Sequence, residues 1–123
     1  MSKDTWSRLC VKWSKLVFKD KFGLLTPRVR TMRLLEEALE LAQAEGVTGP
    51  EASIILNQVY DKPIGDPYKE LGGVLITAAT YAGVARFNLE EAFYDEFERI
   101  MNPEIMEKVR KRNIEGDKIG LKP

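Results

Sequence analysis

The chain contains no histidine. That one absence removes the imidazole from every role it could play. No Ser–His–Asp or Cys–His nucleophile system, no histidine general base and no histidine-ligated zinc centre can be built here. Acid–base work is left to Asp, Glu, Lys, Tyr or water. The single cysteine, Cys10, excludes an internal disulfide. No apolar run reaches the roughly 18 residues of a membrane span. The nearest candidate, 71–84, carries Thr77, Thr80 and Tyr81. The opening residues Met-Ser-Lys-Asp-Thr-Trp lack the apolar segment of a signal peptide, which points to a cytoplasmic protein without a membrane partner. Neither charge is in surplus: 19 Lys plus Arg balance 19 Asp plus Glu. A grip on long nucleic acid is therefore not expected, although a small phosphorylated ligand needs only a local basic patch.

What remains is the composition of one folded domain. The 123 residues are 44% hydrophobic and 31% charged, enough for one core and too apolar for wholesale disorder. Trp6, Leu9, Cys10, Trp13, Leu16 and Val17 recur at helical spacing, with Lys12, Lys15 and Lys19 off the stripe. Thr26-Pro27 and Asp66-Pro67 each read as a cap followed by proline at the first helical position. Thr48-Gly49-Pro50 opens a shorter helix, and Asn88 with Glu91 has a capping-box pattern. Gly46 suits a helix C-terminus. The helix expected over about 67–86 has so few polar residues that it should be central and covered on most sides. A basic helix with Lys108, Arg110, Lys111 and Arg112 follows Asn102-Pro103, and about 113–123 reads as a flexible tail. No strand-like alternation occurs. The expectation is a single all-α domain over 1–123: four main helices in a bundle with a C-terminal helical extension.

The informative residues are acids. Glu36, Glu37 and Glu40 fall within Leu34–Leu41, and Glu37 and Glu40, three apart, share a helix face. Two like charges that close are tolerated when water screens both or when a cation sits between them. A hard divalent ion such as Mg²⁺, with Mn²⁺ as a substitute, takes carboxylate oxygens and brings phosphates with it. A solvated acidic stripe on an amphipathic helix would look the same. Glu70 opens the apolar helix and precedes Gly72-Gly73, a pair that costs a helix roughly 1–2 kcal/mol relative to alanine. Close packing of a neighbouring helix, or room for a ligand, would offset that cost.

Arg33-Leu34-Leu35-Glu36-Glu37-Ala38-Leu39-Glu40-Leu41 followed by Lys69-Glu70-Leu71-Gly72-Gly73-Val74-Leu75 resembles the MazG-like nucleoside triphosphate pyrophosphatases across about 30–100. That all-α superfamily carries Glu-x-x-Glu on one helix and Glu-x-x-Asp on the next long one. The resemblance implies an enzyme that holds Mg²⁺ on these acids and cleaves a nucleotide substrate to monophosphate and pyrophosphate, as a homodimer or homotetramer. Glu37, Glu40 and Glu70 match the ligand positions, and Asp66, one turn before Glu70, is a further candidate ligand or a plain helix cap. Glu36 is the candidate base. Arg30, Arg33, Lys108 and Arg112 are candidates for contacting phosphates; pairing of the arginines with Glu37 and solvation of the C-terminal cations are the alternatives. Gly73 stands where the family has its aspartate. That departure leaves open a non-catalytic member that binds nucleotide or a helical partner.

Overall fold

The structure, a computed structural model, describes residues 3–19 and 23–115. Every regular element among them is a helix: α1 (Lys3–Phe18), α2 (Pro27–Ala44), α3 (Gly49–Tyr60), α4 (Pro67–Ala85), α5 (Leu89–Ile100) and α6 (Pro103–Glu115). The all-α expectation is met, with six helices. The chain divides into two compact units, Met1–Leu41 with Glu98–Pro123, and Ala42–Phe97. The tail expected over 113–123 lies outside the described residues from 116 onward; before that, α6 continues through Glu115.

In the first unit the apolar stripe of α1 becomes a core. Val17, Phe18 and Leu24 are buried, and Trp13, Leu25, Val29, Met106 and Val109 pack around them. α6 lies against α1. Trp13 is a core residue with a polar handle: its Nε1 donates to the Ile100 carbonyl at 2.9 Å, and its ring meets Phe18 edge-on with centroids 6.3 Å apart. An indole half-buried in this way keeps its donor satisfied. Thr26 starts α2 by accepting from the Val29 amide at 3.2 Å, and Pro27 has no amide to leave unpaired.

In the second unit the helix ends follow local sequence closely. α2 stops where Gly46 takes φ +86° and the Val47 amide bonds the Ala42 carbonyl at 2.9 Å, a closure that needs a left-handed residue. Thr48 and Glu51 form a full capping box at the start of α3. Asp66 caps α4 through Oδ2 and the Lys69 amide, 3.2 Å. α4 ends on Arg86, which takes φ 63° without being glycine. Tyr81 donates to Glu45 Oε2 at 2.6 Å, and Phe93 stacks on Phe97 with centroids 5.8 Å apart.

One expectation is corrected here. α4 was expected to be covered on most sides, yet Ala82 is the one buried residue between Ala42 and Phe97. Leu71, Leu75, Ile76 and Val84 all stand open. A hydrophobic pattern states which surface favours burial; it does not state what supplies the cover.

Candidate functional site

The candidate acids are set out by α2 and by the start of α4, and the candidate cations by α2 and α6. On α2, Arg33 is half-buried and engages two carboxylates: Nη1 pairs with Glu36, three residues on, and Nη2 approaches Glu37 Oε1 at 3.5 Å. These are the i,i+3 and i,i+4 spacings at which helix side chains meet. The guanidinium thus fixes Glu36 and leans on Glu37, so two neighbouring anions share one cation. Glu37 and Glu40 are exposed. Pairing of Arg33 with Glu37, one of the two readings open at the sequence level, is the arrangement present.

Arg30 is used differently. Its Nε donates to the Leu24 carbonyl at 2.7 Å, and its guanidinium lies 5.1 Å from the centroid of Phe18, within cation–π range. Burial, and the positive charge of Arg33 nearby, lower its pKa from the ordinary arginine value. Its Nη2 is buried with no hydrogen-bond partner among the described residues. Arg30 therefore closes the core of the first unit. Lys108 and Arg112 are exposed on α6, and Arg110 between them approaches Glu107 Oε2 at 3.8 Å. Cys10 is half-buried, and burial raises its thiol pKa, so it behaves as the small apolar residue its place in the stripe implies.

On α4, Asp66 is engaged as the cap and Glu70 sits exposed in the first turn, where the helix dipole favours an anion. The Glu70 side chain folds back over the loop before the helix. A β-carbon at Gly65 would lie 2.6 Å from its Oε1, so Gly65 leaves the space that this carboxylate occupies. Sequence reasoning missed Gly65, because a glycine beside Pro63 and Pro67 reads as a plain turn. At Gly72 and Gly73 a β-carbon would meet nothing within 4 Å, so no packing neighbour among the described residues accounts for either.

Among the described residues no three of Cys, Asp and Glu gather closely enough to form a metal-holding group. Mg²⁺ in nucleotide chemistry takes one or two carboxylates and completes its octahedron with water and phosphate oxygens. Glu37 and Glu40, three apart on α2, are both exposed carboxylates and so are hard oxygen donors of the type such an ion takes. Two surface grooves of the first unit are lined by other residues than these acids. One of about 510 Å³ runs along α1 past Arg8, Val11, Lys12, Lys15 and Leu16. A smaller one, about 180 Å³, lies by Val17, Met106 and Arg110. No helix among the described residues is long and apolar enough to cross a membrane. Comparisons with protein-family models, with curated proteins and with solved structures gave no match for this chain.

Proposed function

We propose that this chain is a Mg²⁺-dependent nucleotide pyrophosphohydrolase of MazG-like type, cleaving a nucleoside triphosphate to monophosphate and pyrophosphate in the cytoplasm. The observation that carries the reading is the pattern Glu37-x-x-Glu40 on α2 with Glu70 at the head of α4, all three carboxylates open to solvent. Glu37, Glu40 and Glu70 would hold the ion, with Asp66 beside Glu70. An ion held there would supply positive charge against the phosphate oxygens and lower the pKa of a bound water. Glu36, oriented by Arg33, accepts the proton of the attacking water as the bond to the pyrophosphate leaving group breaks. Arg33, Lys108 and Arg112 are the cations that would offset phosphate charge. Arg30 belongs to the same proposed set, although its bonds to Leu24 and Phe18 are those of a core residue. Four of the helices forming a bundle, and self-association as a homodimer or homotetramer, are parts of the same reading.

One observation favours a second reading. Gly73 supplies no side chain where the family pattern has an acid, and a site short of one carboxylate suits a protein that binds nucleotide, or a helical partner, without turnover. A panel of nucleoside triphosphates with Mg²⁺ or Mn²⁺, scored for released pyrophosphate, separates the two. Turnover of at least one triphosphate that is lost in Glu40→Gln is expected. Nucleotide-dependent thermal stabilisation without any pyrophosphate release would replace the enzyme with the binding protein.

A further inference from the structure

We infer that the basic face of α1 is the docking site for an acidic amphipathic helix of another protein. The inference gives the helical partner of the second reading a surface and a charge, and it stands whether or not nucleotide is turned over. The balance of 19 Lys plus Arg against 19 Asp plus Glu conceals a division. Ala42–Phe97 holds nine acids and three cations, so the surplus of cations falls in Met1–Leu41 with Glu98–Pro123. On α1 that surplus is displayed in register. Buried Val17 and Phe18 and half-buried Trp13 turn one face to the core of the unit. Arg8, Lys12 and Lys15, spaced four and three apart, share the exposed face. No acid occurs from Thr5 to Lys19. Arg8 Nη2 reaches the Thr5 hydroxyl at 3.5 Å, and Lys12 and Lys15 form no ion pair among the described residues. A carboxylate brought to this face finds uncommitted cations.

Between the cations the face is apolar. The groove of about 510 Å³ along α1 is lined by Ser7, Arg8, Val11, Lys12, Lys15 and Leu16, all residues of one unit. Val11 is 51% and Leu16 58% exposed. Leu16 also lines the smaller groove with Met106 and Arg110, so the apolar strip continues toward α6 and gains another cation. This combination selects the occupant. Ser7 to Leu16 spans roughly 14 Å at 1.5 Å per residue, enough for a partner helix to present positions i, i+3, i+4 and i+7. Its apolar side chains fill the floor at Val11 and Leu16, and its carboxylates, one turn apart, meet Arg8, Lys12 and Lys15. The charges steer and orient the partner, and the apolar contacts hold it. A nucleic-acid backbone would use the cations and leave the floor uncovered, with no aromatic side chain in the groove to stack a base. A bilayer takes up the apolar face of an amphipathic helix, and that face of α1 is already spent on Val17, Phe18 and Leu24.

The test uses the full-length chain and a fluorescent synthetic peptide helix with Leu at i, i+3, i+4 and i+7 and Glu at the flanking positions. Fluorescence anisotropy is expected to show saturable binding at micromolar concentration. Lys12→Glu with Lys15→Glu should weaken it about tenfold or more, and Leu16→Ser several-fold, while Lys111→Glu on α6 should leave it unchanged. A scrambled peptide of the same composition, which keeps the charge and loses the apolar stripe, should bind about tenfold more weakly. Because a charge-reversed chain could simply misfold, it is also offered the peptide with Lys in place of Glu, which it should bind better than the unaltered chain does. No saturable binding, binding that the reversal leaves unchanged, or a reversed chain that takes neither peptide overturns the inference. So does a scrambled peptide that binds as well as the ordered one. Tighter binding of a polyuridylate strand, or of phosphatidylserine vesicles, lost in the same double variant, would assign the face to nucleic acid or to lipid instead. Pyrophosphate release plays no part in these readouts, so their failure leaves the proposed hydrolysis standing.

Discussion

The two units fold the same kind of sequence to opposite ends. In Met1–Leu41 with Glu98–Pro123 the apolar stripe of α1 finds Leu24, Val29, Met106 and Val109, and the polar groups at its edge are bonded: Trp13 to Ile100, and Arg30 through its Nε to Leu24. In Ala42–Phe97 the more apolar sequence, that of α4, buries only Ala82. The caps of the second unit are as well formed as those of the first, with a complete box at Thr48–Glu51 and Asp66 on the Lys69 amide. Good local structure and a good core are therefore separable. The first unit has a core of its own in Val17, Phe18 and Leu24, whereas in the second well-capped helices stand beside little burial.

The largest effect should come from the core of the first unit. Phe18→Ala removes a buried ring that Trp13 and Arg30 both contact. It is expected to cost about 3–5 kcal/mol. Urea denaturation followed by tryptophan fluorescence should show the shift, and it should not depend on protein concentration. The second unit should behave otherwise. With so little burial there, its α4 amides should exchange hydrogen sooner than those of α1. Exchange in α4 as slow as in α1 would erase the contrast between the units.

A smaller effect lies at the start of α3. Thr48→Ala should cost about 1 kcal/mol, readable as a lowered melting temperature. The hydrogen bonds from the Thr48 amide and hydroxyl hold the Glu51 carboxyl below its ordinary value. A depressed carboxyl contributes stability above its unfolded value and loses it as pH falls through the folded one. The penalty of Thr48→Ala should therefore shrink in acid below the ordinary glutamate range. A penalty that is the same at neutral pH and in strong acid would mean that the carboxylate is not part of the cap.

Much of the fold was legible because helix ends are local. Thr26-Pro27, Asp66-Pro67, Asn88 and Gly46 each meet a backbone need within four residues of themselves, and each stands where the sequence places it. Arg86 was not legible: an arginine in the left-handed region carries no residue-type signal, and the turn shows only in the backbone, where the Arg86 and Phe87 amides reach back to the Gly83 and Ala82 carbonyls. The site was legible in part. The pairing of Arg33 with Glu37 follows from spacing, while the use of Arg30 depends on a carbonyl six residues back in a loop, which no periodicity encodes. The cover for α4 was illegible for a deeper reason: its pattern is identical whether the covering surface belongs to the same chain or to another.

The most direct test is a calorimetric titration of Mg²⁺ into the full chain, into Glu40→Gln, into Glu70→Gln and into the double variant, since the proposed chemistry requires the acids of α2 and α4 to serve one cation. Each single substitution should weaken binding about tenfold, and the double variant should fall well short of the product of the two losses, because both act on the same ion. Gly73→Asp should strengthen binding by restoring the missing carboxylate. Gly65→Ala should weaken it by displacing the Glu70 carboxylate while leaving every acid in place. Losses from Glu40→Gln and Glu70→Gln that multiply in full, or no loss from either, would contradict a shared metal site.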